Sequence, residues 1–170
     1  AAQVEEWIKL YCQRYSGPQL IDVVNEPLHE TPNYVNAIGG TGSSGWDWVI
    51  WGYKKARQYC PNAKLLINDY YILTDTANTA KYIGIINLLK AQNLIDGIGC
   101  QAHHLETTSN SVILQNLNSL QATGLPIYIS ELDLDFADDT QQLNRFKTLF
   151  PLLYEHPAVK GVTFWGYTRG

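Results

Sequence analysis

An α/β architecture with a parallel sheet, forming part of a TIM (β/α)8 barrel, is predicted by three features of this chain. Short apolar runs alternate with helical patterns from one end to the other. After one long early gap, those runs begin about every 32 residues, the size of a strand–helix unit. Finally, Asn25 with Glu26, Asn68 with Asp69, Gln101 with His103, Glu131 with Asp133, and Trp165 all stand at C-terminal ends of predicted strands. In a barrel those ends converge on one mouth, where active sites sit. The alternative, an open doubly wound sheet, needs a glycine-rich phosphate turn directly after a strand. Gly39-Gly-Thr-Gly-Ser-Ser-Gly45 lies well beyond Val24 instead, and reads as a flexible loop.

The elements follow in order. From Val4, the residues Trp7, Ile8, Tyr11, Cys12 and Tyr15 recur at helical spacing, and Gly17-Pro18 supplies a stop. A strand is predicted at residues 20–24, then a long loop, then a helix near residues 46–60 closed by Pro61. Residues 64–68 read as a strand and 76–92 as a helix; 96–101 as a strand and 111–123 as a helix ending at Gly124. A strand at 126–130, a helix at 140–155 stopped before Pro157, and a last strand at 160–165 complete the pattern. Short apolar strands separated by helices pair in parallel through right-handed crossovers.

Composition narrows the function. With 170 residues the chain can bury a real core. Its net charge of −4 argues against nucleic acid, whose phosphates favour basic surfaces. No apolar run reaches the roughly 18 residues that a membrane-spanning helix needs. Five Trp and eleven Tyr exceed the demands of a small core and suit the apolar faces of sugar rings. Cys12, Cys60 and Cys100 are odd in number and lack CxxC spacing, so neither a zinc site nor a disulfide framework is predicted. Cys100, within Ile98-Gly-Cys-Gln, reads as a small buried hydrophobe. No His, Cys and carboxylate set has metal-ligand spacing, and no cofactor is expected. Ala1 leads directly into an amphipathic helix, with no targeting segment visible in this chain.

Two carboxylates stand out. Glu26 ends the run Ile21-Asp-Val-Val-Asn-Glu, and Glu131 ends Pro126-Ile-Tyr-Ile-Ser-Glu. A strand buried on both faces has no structural use for a carboxylate, because ionising one in a dry site costs several kcal/mol. Paired carboxylates at strand ends are what glycoside hydrolysis requires.

Taken with three further segments, these runs resemble the family 10 glycoside hydrolases, the endo-β-1,4-xylanases. The matching pieces are Asp22-Val-Val-Asn-Glu26, Leu66-Ile-Asn-Asp-Tyr70, Gly97-Ile-Gly-Cys-Gln-Ala-His103, Ser130-Glu-Leu-Asp133 and Phe164-Trp-Gly166. The resemblance implies that residues 1–170 form one partial catalytic barrel, from the helix before strand 4 through strand 8. The first three strands and the last helix are then to be supplied by the same precursor or by another chain, because a whole barrel needs about 250 residues.

The same resemblance implies retaining hydrolysis of xylan or xylo-oligosaccharides, with Glu26 as acid/base and Glu131 as nucleophile. His103 and Asp133 are implied to orient Glu131, Gln101 to partner Glu26, and Asn25 to bind the sugar 2-hydroxyl. Trp165 would wall the non-reducing side of the cleaved bond, while Asn68 and Tyr70 would bind on the leaving-group side. Tyr71 and Tyr167 depart from the family pattern, which often has Asn and Trp there. A polymeric substrate further implies a secreted, cell-surface or periplasmic protein.

Other aromatic residues read as packing: Trp7, Trp48 and Trp51 lie on helices and are expected between helix and barrel. His29 is expected to touch a sugar or cap its loop, whereas His104 and His156 carry no signal. Two alternatives stand beside the xylanase reading. One is another retaining barrel glycosidase such as a cellulase; the other is a polysaccharide-binding fragment without catalysis.

Overall fold

Five parallel strands pair in chain order, each with the next, in the computed structural model, which describes residues 1–15 and 20–166. The strands are β1 (Leu20–Asn25), β2 (Lys64–Asn68), β3 (Gly97–Ala102), β4 (Ile127–Leu132) and β5 (Val159–Phe164). Between them run α2 (Asp47–Tyr59), α3 (Thr76–Lys90), α4 (Asn110–Gln121) and α5 (Asp139–Tyr154), with α1 (Ala2–Arg14) ahead of β1. This is the predicted α/β pattern, with each boundary moved by no more than two residues. The proposed stop at Gly17-Pro18 lies outside the described residues, as does Tyr167.

Helix starts are set by local chemistry. Asp75 accepts from the amides of Ala77 and Asn78, Ser109 from Val112, and Asp138 from Gln141. Each satisfies an amide that has no partner within its helix. The core lies between helices and sheet, where Leu65, Ile67, Tyr82, Ile85, Ile98, Ile113, Leu117 and Ile129 are fully buried. Strand β3 is buried along its whole length, as a central parallel strand should be.

The two outer strands are different. Leu20 on β1 and Phe164 on β5 remain exposed, and α1 buries no side chain. Trp7, expected to pack between helix and barrel, is 78% exposed; Trp48 is buried and Trp51 packs on the core. The helical spacing around Trp7 is real, but the ring is left without a covering surface among the described residues.

Two expectations are corrected. Cys12 and Cys60 form a disulfide across 48 residues, with Cα atoms 5.4 Å apart. Sequence spacing could not reveal the pair, because it depends on α1 lying against α2. Cys100 is the free, buried thiol that was expected. The glycine-rich segment is a folded turn rather than a flexible loop. It follows a 3-10 turn at Val35–Ile38, and Trp48 donates its amide to the Gly40 carbonyl at 2.8 Å. Ser44 donates to Asp47, and a Cβ on Gly42 would fall inside that same carboxylate.

Candidate active site

The carboxylates reach the mouth by different backbone routes. Glu26 immediately follows β1 in a left-handed conformation (φ 58°), with its amide donating to the Asn68 carbonyl at 2.7 Å. His29 and Glu30 return their amides to the Glu26 carbonyl, closing a tight reverse turn. Glu131 lies within β4, beside a bulge. Cys100 pairs with Ile129 but Gln101 pairs with Glu131, so Ser130 is the extra residue. A bulge breaks strict alternation. Ser130 and Glu131 therefore both reach Asn68, at 2.7 and 3.2 Å.

Asn68 is the hub of this arrangement. It is 2% exposed, and its side-chain nitrogen donates to Asn25 as well as to Glu131. Gln101 is the second link, donating to Glu26 at 2.8 Å and to Asn25 at 3.3 Å. Glu26 and Glu131, separated by 105 positions, thus belong to one hydrogen-bond network running through Asn25, Asn68 and Gln101. Gly99 makes room for it, since a Cβ there would come within 2.7 Å of the Asn68 side-chain oxygen.

The surroundings of the two acids differ. Both Glu131 oxygens are occupied, Oε1 by Asn68 and Oε2 by His103 Nε2 at 3.1 Å. Glu26 has Gln101 on Oε1 and no hydrogen bond on Oε2 among the described residues. The other His103 nitrogen lies 2.8 Å from Asp133. Burial opposes the charged ring, but Asp133 and then Glu131 outweigh it and hold the His103 pKa above its ordinary value.

A second carboxylate supports the Glu26 turn. Asp69 has a fully buried side chain and accepts from the amides of Leu28 and Tyr70, both at 2.8 Å, and pairs with His29 Nδ1 at 2.7 Å. Burial pushes its pKa up, against the pull of those donors. His29 also stacks on Tyr70, with ring centroids 4.0 Å apart. Asp69 was visible as a polar strand-end residue, but its tie to the 26–30 turn is set by the β1–β2 pairing.

The sequence-predicted residues therefore divide. Glu26, Glu131, His103, Asp133, Gln101, Asn25 and Asn68 share one connected set of side chains. Tyr70 stands beside that set through His29 and Asp69. Trp165 follows β5, 55% exposed, held by its amide to the Leu132 carbonyl, with its ring outside the network. Among the described residues, no group of three or more His, Cys, Asp and Glu side chains is arranged to hold a metal ion.

The chain as a whole is similar to known proteins. Endo-1,4-β-xylanase B of Cellvibrio japonicus is 39% identical over 174 aligned positions, which take in the whole of this chain and 27% of that protein. The anti-sigma-I factor RsgI6 of Acetivibrio thermocellus is 27% identical over 86% of this chain and 18% of its own length. The solved GH10 structure from Paenibacillus barcinonensis superposes with a TM-score of 0.82 at 26% identity, covering 97% of this chain and 55% of that one. The chain thus spans about half of that solved structure and a smaller share of those two relatives. Its sheet is a partial (β/α) barrel, and the family model for glycosyl hydrolase family 10 matches residues 1–170. By that match and by the barrel it shares with the solved GH10 structure, the chain belongs to glycosyl hydrolase family 10.

Proposed function

We propose that this chain carries the catalytic half of an endo-1,4-β-xylanase that hydrolyses xylan with retention of configuration. The observation that carries the reading is the unequal pair of carboxylates joined through Asn25, Asn68 and Gln101. Glu131, held by donors on both oxygens, suits the nucleophile: it attacks the anomeric carbon while the bond to the leaving oxygen breaks. Glu26, with Oε2 unengaged among the described residues, suits the acid that protonates that oxygen. After the first product departs, Glu26 takes a proton from water, whose oxygen displaces Glu131 from the sugar. Asn25 accepts on its oxygen, and its nitrogen makes no bond among the described residues, which leaves a donor for the sugar 2-hydroxyl. Trp165, exposed at the β5 end of the mouth, suits a sugar wall on the non-reducing side.

The barrel is completed in this proposal by further strands, from the same precursor or another chain, packed on the exposed edges at Leu20 and Phe164 and on the face carrying Trp7. An oxidising, extracellular or periplasmic location is supported by the Cys12–Cys60 disulfide and by the polymeric substrate. The likeness to a protein named as an anti-sigma factor rather than a hydrolase favours one second reading, polysaccharide binding without hydrolysis.

Reducing-end release from xylan by the whole protein separates the two. Glu131→Ala should abolish turnover, with azide restoring a product of inverted configuration. Glu26→Ala should retain activity only on substrates with good leaving groups. Full activity in either variant would remove the assignment, and greater activity on carboxymethylcellulose than on xylan would favour the cellulase alternative.

A further inference from the structure

The ladder between β3 and β4 ends at Ala102 and Leu132. His103 and Asp133 are therefore the first residues beyond it, yet their side chains meet at 2.8 Å while His103 also lies 3.1 Å from Glu131. Leu105 and Leu134 bury their side chains just past these two positions. Burial of that kind is non-directional, so it sets the depth of each segment without fixing how it is turned. Directional contacts come instead from α5.

Arg145, within α5, spreads its guanidinium over the segment that leaves β3. Nε donates to the Leu105 carbonyl at 2.9 Å, Nη2 to the Thr108 carbonyl at 2.8 Å and Nη1 to the Asn110 side-chain oxygen at 2.6 Å. Asn110 in turn donates to the Thr148 carbonyl, further along the same helix, at 3.4 Å. Glu106, inside the held segment, accepts the Asp135 amide at 2.9 Å and so ties the exit of β3 to the exit of β4. The contacts close a circuit. β4 runs through Asp133 and Asp135 into α5, and α5 returns through Arg145 to the segment that carries His103.

A guanidinium is planar, with five donors fixed in direction, so three acceptors on one segment set both its position and its rotation. Burial works against the Arg145 charge, and the Glu106 carboxylate supports it. Neither Arg145 nor Glu106 hydrogen-bonds Glu26 or Glu131 among the described residues; their reach to the carboxylates is through His103 and Asp133. We propose that Arg145 and Glu106 are positioning residues that hold His103 and Asp133 in register behind the nucleophile Glu131. The inference rests on the hydrolase reading above and adds two residues to it.

The test uses the whole protein. Arg145→Ala removes the fork, whereas Arg145→Lys keeps the charge on a single nitrogen; Glu106→Ala removes the acceptor, whereas Glu106→Gln keeps it. Misplacing a reacting group by ~1 Å costs about a hundredfold, and here the strands themselves stay in place, so Arg145→Ala should lower kcat on xylohexaose about tenfold with KM little changed. Arg145→Lys should recover little of that loss. Glu106→Ala should lose severalfold, and Glu106→Gln should match the unsubstituted protein. The His103 ring faces the charges of Asp133 and Glu131 and lies 6.2 Å from the His104 ring. Its NMR midpoint should move down in both alanine variants and stay in place in Glu106→Gln. A merely structural role would lower the urea midpoint alone.

An unmoved His103 midpoint or an unchanged kcat in folded Arg145→Ala and Glu106→Ala would overturn the brace, as would a loss carried by KM. Full activity in Arg145→Lys would overturn the role given to the fork. Should Arg145→Ala fail to fold, the two Glu106 variants decide by the same readouts. A whole protein that leaves xylohexaose uncut would overturn the hydrolase reading instead, with the His103 midpoint still deciding the brace.

Discussion

Replacing Asp133 with Asn reaches Glu131 through an intermediary. His103 Nδ1 lies 2.8 Å from Asp133, and Nε2 lies 3.1 Å from Glu131. Ionised carboxylates only accept, so both contacts are hydrogen bonds at once only when the ring carries both protons. Burial disfavours that cation; the Asp133 and Glu131 carboxylates outweigh it and raise the pKa. Asn keeps the shape of Asp133 and removes its charge. A charge-assisted hydrogen bond is worth about 1.5–3 kcal/mol. Because the Asp133 side chain is 39% exposed, solvent screening reduces this to ~1 kcal/mol. Lost from the transition state, that energy slows turnover about fivefold.

The assays are the pH profile of kcat and the NMR titration of the His103 ring in the whole protein. The substitution should move the His103 midpoint down and carry the alkaline limb of kcat to lower pH. The stability consequence has the same sign. A folded-state pKa above the ordinary value of 6.5 gives stabilisation that is complete below 6.5 and is lost as pH rises through the folded value. The variant should show less of that alkaline loss. An unmoved or rising His103 midpoint would refute the reasoning, as would a loss beyond about a hundredfold, nearly 3 kcal/mol, with the alkaline limb in place.

Three other outcomes are expected. Thiol titration of the denatured chain should find one free cysteine, Cys100, before reduction. Replacing Cys12 and Cys60 together with Ser should lower unfolding stability by up to ~4 kcal/mol for a loop of this length, with faster amide exchange in α1, which buries no side chain. Gly99→Ala should destabilise by about 1–3 kcal/mol and cut turnover, because the added carbon displaces Asn68 from Glu131; unchanged urea midpoints and kcat would contradict this. His156 has the opposite linkage to His103: burial lowers its pKa, so its stabilisation is present above 6.5 and lost as pH falls below that value. His156→Phe should flatten the decline of the urea midpoint on that acid side, and a decline of unchanged slope would show that His156 is not responsible.

Element order, strand direction and the place of both glutamates at strand ends were legible in the chain because each is a local signal. Apolar runs of five or six residues, helix stops such as Pro61, Gly124 and Pro157, and polar residues at strand ends each depend on near neighbours. Motif order then pointed to the family that the comparisons show. What tertiary structure alone decided are relations between distant residues. The Ser130 bulge sends two consecutive side chains to one partner, Asn68 proves to be a buried brace between the two acids, and Cys12 finds Cys60 only because two helices lie side by side. Trp7 shows the converse: its helical spacing predicted burial, but burial requires an opposing surface, and spacing carries no information about whether one is there. Periodicity records which way a side chain points relative to its own backbone; only packing determines what it meets.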